Sequence, residues 1–216
     1  MNQQLYILLI LLFFVKGLFS QTTDNDAWEG HFSYTKIKAV VDGGDKIYAA
    51  SENAIFSYDP ITEERETITT INGLSGEYIT TMHYSTDYDL LIIGYQSGLL
   101  EIYSLTTKTV LKVVDILNKT SIPPENKQIN HFFENESSVY ISTNYGISVY
   151  DLGALEFGDT YYIGANGSQI QINQTFINGN LIYAATNTGL KTADINSSSL
   201  IDFQTWNTLF LGNFIA

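Results

Sequence analysis

From residue 37 onward the chain alternates short apolar runs with polar turns, and the runs recur on a long period. Four segments carry the repeat. They are Ala49-Ala50-Ser51-Glu52-Asn53-Ala54-Ile55-Phe56-Ser57-Tyr58-Asp59, Ile93-Gly94-Tyr95-Gln96-Ser97-Gly98-Leu99-Leu100-Glu101-Ile102-Tyr103, Ile141-Ser142-Thr143-Asn144-Tyr145-Gly146-Ile147-Ser148-Val149-Tyr150-Asp151 and Ala184-Ala185-Thr186-Asn187-Thr188-Gly189-Leu190-Lys191-Thr192-Ala193-Asp194. Each reads as a strand, a polar turn, a small residue and a second strand. The small residues Ala54, Gly98, Gly146 and Gly189 lie 44, 48 and 43 residues apart. A period in the forties with several strands per unit is the mark of propeller blades. A helical repeat of that length would need apolar residues every 3.6 positions, and none do.

Each unit divides into four strands. The first unit gives Ile37–Val41, Lys46–Ser51, Ile55–Tyr58 and Glu66–Ile71. The second gives Ile79–Tyr84, Leu90–Tyr95, Leu99–Tyr103 and Val110–Val114. The third gives Ile129–Phe133, Val139–Thr143, Ile147–Tyr150 and Thr160–Ile163. The fourth gives Ile170–Ile177, Leu181–Ala185, Leu190–Ala193 and roughly Phe203–Leu209. Leu90-Leu91-Ile92-Ile93 is apolar on both faces, as a strand is when its sheet is covered on both sides. Glycine after Asn144-Tyr145 or Asn187-Thr188 supplies the positive φ a tight hairpin needs. Ala54 breaks that pattern, so the first turn should differ, with Asn53 carrying the positive φ.

The N-terminus belongs to a different class. Leu5–Val15 is an unbroken apolar run of eleven residues. That is short of the roughly 20 a membrane helix needs and has the length of a signal-peptide core. Residues 1–20 read as a signal peptide cleaved after Ser20, and 28–216 as the propeller domain. The competing reading is a buried N-terminal helix, which would need a large core to hide in. A lipid anchor on cysteine is excluded, because the chain has none. Cleavage would remove Lys16 and no acid, moving the formal charge from −13 to −14. Such a chain repels nucleic acid and anionic membrane surfaces, and its lysines are spread (Lys108, Lys112, Lys119, Lys127) rather than clustered. Without disulfides, stability rests on packing. Fifteen Tyr, twelve Phe and three Pro favour strands.

Candidate chemistry is sparse. His31, His83 and His131 do not pair at metal-ligand spacing, and no cysteine joins them. Asp42-Gly43-Gly44-Asp45 and Asp87-Tyr88-Asp89 read as turn chemistry rather than calcium loops. Gly73-Leu74-Ser75-Gly76 is not a nucleophile elbow. Glu63-Glu64 lies in a polar loop, and no phosphate-cradling Gly-Lys motif occurs. No catalytic, metal or cofactor-binding residue is assigned, no cofactor is expected, and the chain reads as a non-enzyme.

A resemblance adds what the chemistry does not. Trp28-x-x-His31-x-Ser33-Tyr34, Ser51–Asp59, Asn72-Gly73-Leu74-Ser75-Gly76 and Ile92–Gly98 come first. Thr143–Leu152, Asp159-Thr160-Tyr161-Tyr162-Ile163-Gly164 and Ala184–Leu190 follow. In this order and spacing they resemble the N-terminal β-propeller of PorZ-like type IX secretion components of Bacteroidota, from Trp28 to about Trp206. Asn-Gly-Leu-Ser-Gly also resembles the propeller repeat of two-component regulators.

The resemblance implies an all-β chain: a β-propeller fragment with about four four-stranded blades of an expected seven. The chain would then stop inside a fifth blade, before a second propeller and a sorting domain. Trp28–Tyr34 would be a strand completing the ring's last blade, and the open blade faces would leave apolar patches. The implied role is that of a non-catalytic cell-surface member of an attachment complex with PorU-, PorV- and PorQ-like partners. That complex processes cargo and anchors it to anionic lipopolysaccharide, at the outer membrane of a Gram-negative bacterium. No ligand residue transfers by position. Two other readings stay open: the extracytoplasmic sensor propeller of a two-component regulator, facing the periplasm, and a polysaccharide-active propeller enzyme.

Overall fold

The computed structural model describes residues 34–209, within a compact unit that spans Ser33–Ala216. The signal-peptide reading of residues 1–20, His31 and the segment before Tyr34 lie outside the described residues. Among the described residues, sixteen strands form four antiparallel four-stranded sheets, each built from four consecutive strands. Blade 1 holds β1 (Ala39–Asp42), β2 (Ile47–Ala50), β3 (Ile55–Tyr58) and β4 (Arg65–Ile68). Blade 2 holds β5 (Ile79–Ser85), β6 (Leu90–Tyr95), β7 (Leu100–Ser104) and β8 (Val110–Val113). Blade 3 holds β9 (Ile129–Asn135), β10 (Ser138–Thr143), β11 (Ile147–Asp151) and β12 (Glu156–Tyr161). Blade 4 holds β13 (Ile172–Asn178), β14 (Leu181–Thr186), β15 (Gly189–Asp194) and β16 (Asn207–Leu209). The first strands of successive blades abut one another, β1 on β5, β5 on β9 and β9 on β13. One helical turn, α1 (Asp115–Asn118), lies between blades 2 and 3.

Packing between blades follows from the second strand of each sheet. In β6, Leu91, Ile93 and Tyr95 enter a cluster with Tyr48, Ile55 and Ile68 of blade 1. Ile92 points the other way and joins Ile129, Phe132, Val139 and Ile141 of blade 3. In β10, Val139 and Ile141 serve the blade 2 side, and Tyr140 faces Ile172 and Ile182 of blade 4. The period-two alternation of a strand thus feeds two separate cores. Full burial of each such side chain is worth about 1.5–3 kcal/mol.

Bonds from side chains to main-chain carbonyls tie blade 2 to blade 3 and blade 3 to blade 4. Ile79 and Ile129 open their inner strands, as their place in the repeat predicts. A one-residue bulge follows each of them, and another follows Ile172. In the first two, the bulged residue turns its side chain toward the next blade. Thr80 Oγ1 donates to the Ile129 carbonyl at 2.5 Å. Asn130 Nδ2 donates to the Ile172 carbonyl at 2.8 Å and to Asn144 Oδ1 at 2.9 Å.

Several local expectations need correction. Blade 2 is one residue longer at its central turn: Tyr95 N–H reaches the Leu99 carbonyl, whereas Thr143 N–H reaches Gly146. Leu99, not Gly98, therefore stands where Gly146 and Gly189 stand. Asn53 does not adopt positive φ. The first turn instead closes through the Ser51 N–H (2.8 Å) and hydroxyl (2.9 Å), both donating to the Ala54 carbonyl. Thr143 and Thr186 make the same hydroxyl bond, to Gly146 at 2.8 Å and Gly189 at 2.7 Å. The last strand of blade 3 is Glu156–Tyr161 rather than Thr160–Ile163. Asp151 Oδ1 accepts the Gly153 and Ala154 N–H groups, and Leu155 then takes φ 56°. In blade 4, Phe203–Thr205 is a 3-10 turn capped by Asp202, and the strand begins only at Asn207.

Gly94 marks the tightest approach of blades 2 and 3. A Cβ there would lie 2.6 Å from Ile129 Cγ2 and 2.9 Å from Phe132 Cζ. Gly94→Ala is expected to destabilise the protein by about 1–3 kcal/mol through overpacking, read from urea unfolding. Gly158→Ala, on an exposed strand with open space around it, should stay within about 0.5 kcal/mol.

Candidate functional site

The histidines meet at the inner-strand junction of blades 2 and 3. His83 on β5 and His131 on β9 lie two positions apart in the register set by Ile79 and Ile129. Glu134 bridges the blades: its Oε2 lies 2.9 Å from His83 Nε2, and its Oε1 accepts the Ser85 hydroxyl at 2.6 Å. Serine and histidine both bond the carboxylate and not each other. The trio ties β5 to β9. His131 Nδ1 is buried without a hydrogen-bond partner. Burial, and then the neighbouring His83, hold the His131 imidazole below its usual range.

The acidic turns behave as turns. Asp42 Oδ1 accepts the Gly44 N–H at 2.9 Å. Asp89 accepts the hydroxyls of Tyr84 (3.2 Å) and Thr106 (2.8 Å). Among the described residues no three His, Asp or Glu side chains are placed to hold a metal ion. Glu63 supplies the positive φ of the β3–β4 turn, and the preceding Asp59 caps that turn by accepting the Ile61 and Thr62 N–H groups.

One polar residue escaped the sequence reading. Glu101 on β7 is fully buried. Its carboxylate accepts the Ser75 N–H at 2.9 Å and the Tyr95 hydroxyl, with Lys112 Nζ at 3.5 Å. A buried charge is tolerated only when paired and hydrogen-bonded, and these three partners satisfy it. Burial, with Glu101 alongside, pushes the Tyr95 phenol well above its usual range. The arrangement explains Asn72-Gly73-Leu74-Ser75-Gly76: this linker is pinned to blade 2 through its main chain. The available signal was a lone charge between Leu100 and Ile102 inside an apolar strand.

The sheet register gives Glu101 two counterparts. Glu101 pairs with Ile93, Ser148 with Ile141 and Lys191 with Ala184, all at the same place relative to the first inner-strand isoleucine. Ser148 is buried and hydrogen-bonded to the Tyr145 hydroxyl at 2.6 Å. Lys191 is half-buried, and its side chain has no ion pair or hydrogen bond among the described residues. It borders a cleft of about 620 Å³ between blades 3 and 4. Asn126, Gln169, Gln171 and Asn187 line it, and no carboxylate among the described residues does. The facing linker closes on itself, through Gly164 N–H to Ser168 O (3.1 Å) and Ser168 N–H to Ala165 O (3.1 Å).

The family described as "TSS9, PorZ, N-terminal beta-propeller domain" matches residues 47–207, about three-quarters of the chain. The chain belongs to this family. Among solved structures, PorZ of Porphyromonas gingivalis superposes with a TM-score of 0.68 at 19% identity, covering 81% of this chain and 22% of that one. That structure is described as an essential bacterial surface component of the type IX secretion system. The extracellular domain of a putative one-component system of B. thetaiotaomicron superposes with a TM-score of 0.62 at 16% identity, covering 80% and 22%. The U3-55K structure gives 0.56 at 13% identity, covering 77% and 50%. No curated protein matches by sequence. These likenesses establish the propeller fold expected from the repeat. The chain spans about a fifth of the length of the first structures it matches. Among the described residues of this PorZ-family propeller no helix is long and apolar enough to cross a membrane.

His131 makes the PorZ-family propeller sensitive to acid. Its folded-state value lies below the ordinary 6.5, so the unfolded chain takes up the proton first. The stability it contributes is complete above pH 6.5 and is lost as pH falls from there toward the folded value. Denaturant unfolding between about pH 7.5 and 5 should show a shallower loss for His131→Gln than for the unchanged protein.

Proposed function

We infer that the protein is a non-enzymatic surface component of a type IX secretion apparatus. In this reading it serves the complex that processes secreted cargo and anchors it to anionic lipopolysaccharide, with PorU-, PorV- and PorQ-like partners. The observation that carries this is the family match over residues 47–207. It is supported by the superposition on a surface component of that system. A propeller offers a rigid frame whose loops and inter-blade grooves are free to bind, which suits a scaffold in a surface assembly.

A second reading is favoured by one observation. The extracellular domain of a putative hybrid two-component system of B. thetaiotaomicron superposes with a TM-score of 0.60 at 19% identity. A sensor propeller would bind a ligand outside the cell and report it inward.

Deleting the gene in its type IX-secreting host separates the two. The secretion reading expects cargo to be released unanchored and incompletely processed, with recovery on re-expression of the full-length protein. Its partners should co-purify with a tagged copy from the outer membrane. Intact cargo anchoring, with a changed transcript profile instead, would assign the sensor role.

A further inference from the structure

We propose that the cleft between blades 3 and 4 is a binding site for an extended, acidic polypeptide segment, whose carboxylate pairs with Lys191. This proposal goes beyond the secretion role and does not depend on it.

Two internal precedents carry it. The first is Glu101. At this same sheet position in blade 2, a carboxylate lies between the inter-blade linker and an ammonium, accepting the Ser75 N–H and facing Lys112. In blade 4 the position holds a cation, which can accept nothing from its linker. The linker carries its own bonds, and it and Lys191 line an open cleft. A carboxylate brought from outside restores the arrangement of blade 2 with the charges supplied from opposite sides. The local field permits this: the chain is acidic, yet no acidic residue among those described lines the cleft.

The second precedent fixes the rest of the ligand. Asn126-x-Gln128-x-Asn130 in blade 3 and Gln169-x-Gln171-x-Asn173 in blade 4 are equivalent rows of amides at strand spacing. In both rows the glutamine Nε2 donates to the asparagine Oδ1, at 2.9 and 3.0 Å. The blade 3 row grips an extended segment. Asn130 bonds the Ile172 carbonyl, and Asn126 Nδ2 bonds Gln169 Oε1 at 2.8 Å. Beside Lys191, the Gln169 amide nitrogen, the Gln171 amide oxygen and the Asn187 side chain have no such partner among the described residues. They offer both donors and acceptors, which the N–H and C=O groups of an extended main chain use in alternation. The volume falls in the range of built ligand sites.

Fluorescence polarisation on the full-length protein, with fluorescein-labelled Gly-Glu-Gly-Glu-Gly-amide as probe, tests this. Saturable binding is expected, weakening as salt rises. The Gly-Gln-Gly-Gln-Gly analogue should bind at least about tenfold more weakly. Lys191→Met should cost at least about tenfold, Asn187→Ala a smaller factor, and Lys36→Gln on blade 1 nothing. Because a substitution can disturb folding, carbodiimide coupling of the probe carboxylate to the unchanged protein gives a second readout. Mass spectrometry should place the new amide bond at Lys191. Coupling spread evenly over the lysines, equal binding of the Gln analogue, or displacement by trigalacturonate in preference to unlabelled peptide would overturn the proposal.

Discussion

The structure depends on a side chain displaced by one residue of bulge. At the base of the inner strands, Thr80 and Asn130 are squeezed out of the ladder and reach the first carbonyl of the following blade. A propeller has no core shared by all its sheets, so register between blades must be set pairwise. Apolar contact alone cannot set it, because dispersion and burial are non-directional. The bulge provides direction at a point where both strands begin. Everything further along β5 and β9, including the Glu134 bridge, follows from that alignment. The apolar clusters then add the larger share of energy, and Gly94 allows the sheets to close to contact.

The repeat was legible because its signals are chemical necessities. Two-faced apolar strands need cover on both sides, and Leu90–Ile93 could be placed correctly for that reason alone. The inner-strand isoleucines were equally plain. The outer hairpins were uneven: the fourth strand of blade 2 was read at its place, and that of blade 3 was not. Their turns need a residue at positive φ, and the chain uses Glu63, Lys108 and Leu155 there instead of glycine. Asp59, Ser104 and Asp151 cap those turns by accepting N–H groups, which offsets the strain of a non-glycine residue. Gly153 lies in this turn but the positive φ falls on Leu155, and the start of β12 was misplaced toward the next aromatic run. The extra residue at Tyr95–Leu99 was hidden for the opposite reason: Gly98 looked like the expected landmark.

Polar sites were the least legible. The histidines could be listed from the sequence, but their wiring depends on which strand faces which, and the two-residue offset between His83 and His131 decides it. Glu101 was invisible because its partners lie 26 residues upstream, at Ser75, and across the hairpin, at Lys112. The amide rows were visible as letters only. Their meaning comes from Asn130, whose bonds can be seen, and whose counterpart Asn173 stands at the same step of blade 4.

Beyond the bulge contacts, the side-chain pairs that join the blades differ from junction to junction. Blade 1 meets blade 2 through Lys38 and the Tyr78 hydroxyl, blade 2 meets blade 3 through Ser85, His83 and Glu134, and blade 3 meets blade 4 through Ser142 and Thr175 at 2.9 Å. Repeats alike enough to share a fold are also alike enough to dock on the wrong neighbour while the chain is still assembling. Misplacing blade 3 against blade 1 would leave Glu134 facing neither a histidine nor a serine, a desolvated charge with nothing to answer it. Each junction thus works as a keyed joint, and the sequence differences between blades, which look like drift in the repeat, are what give every blade an address in the ring.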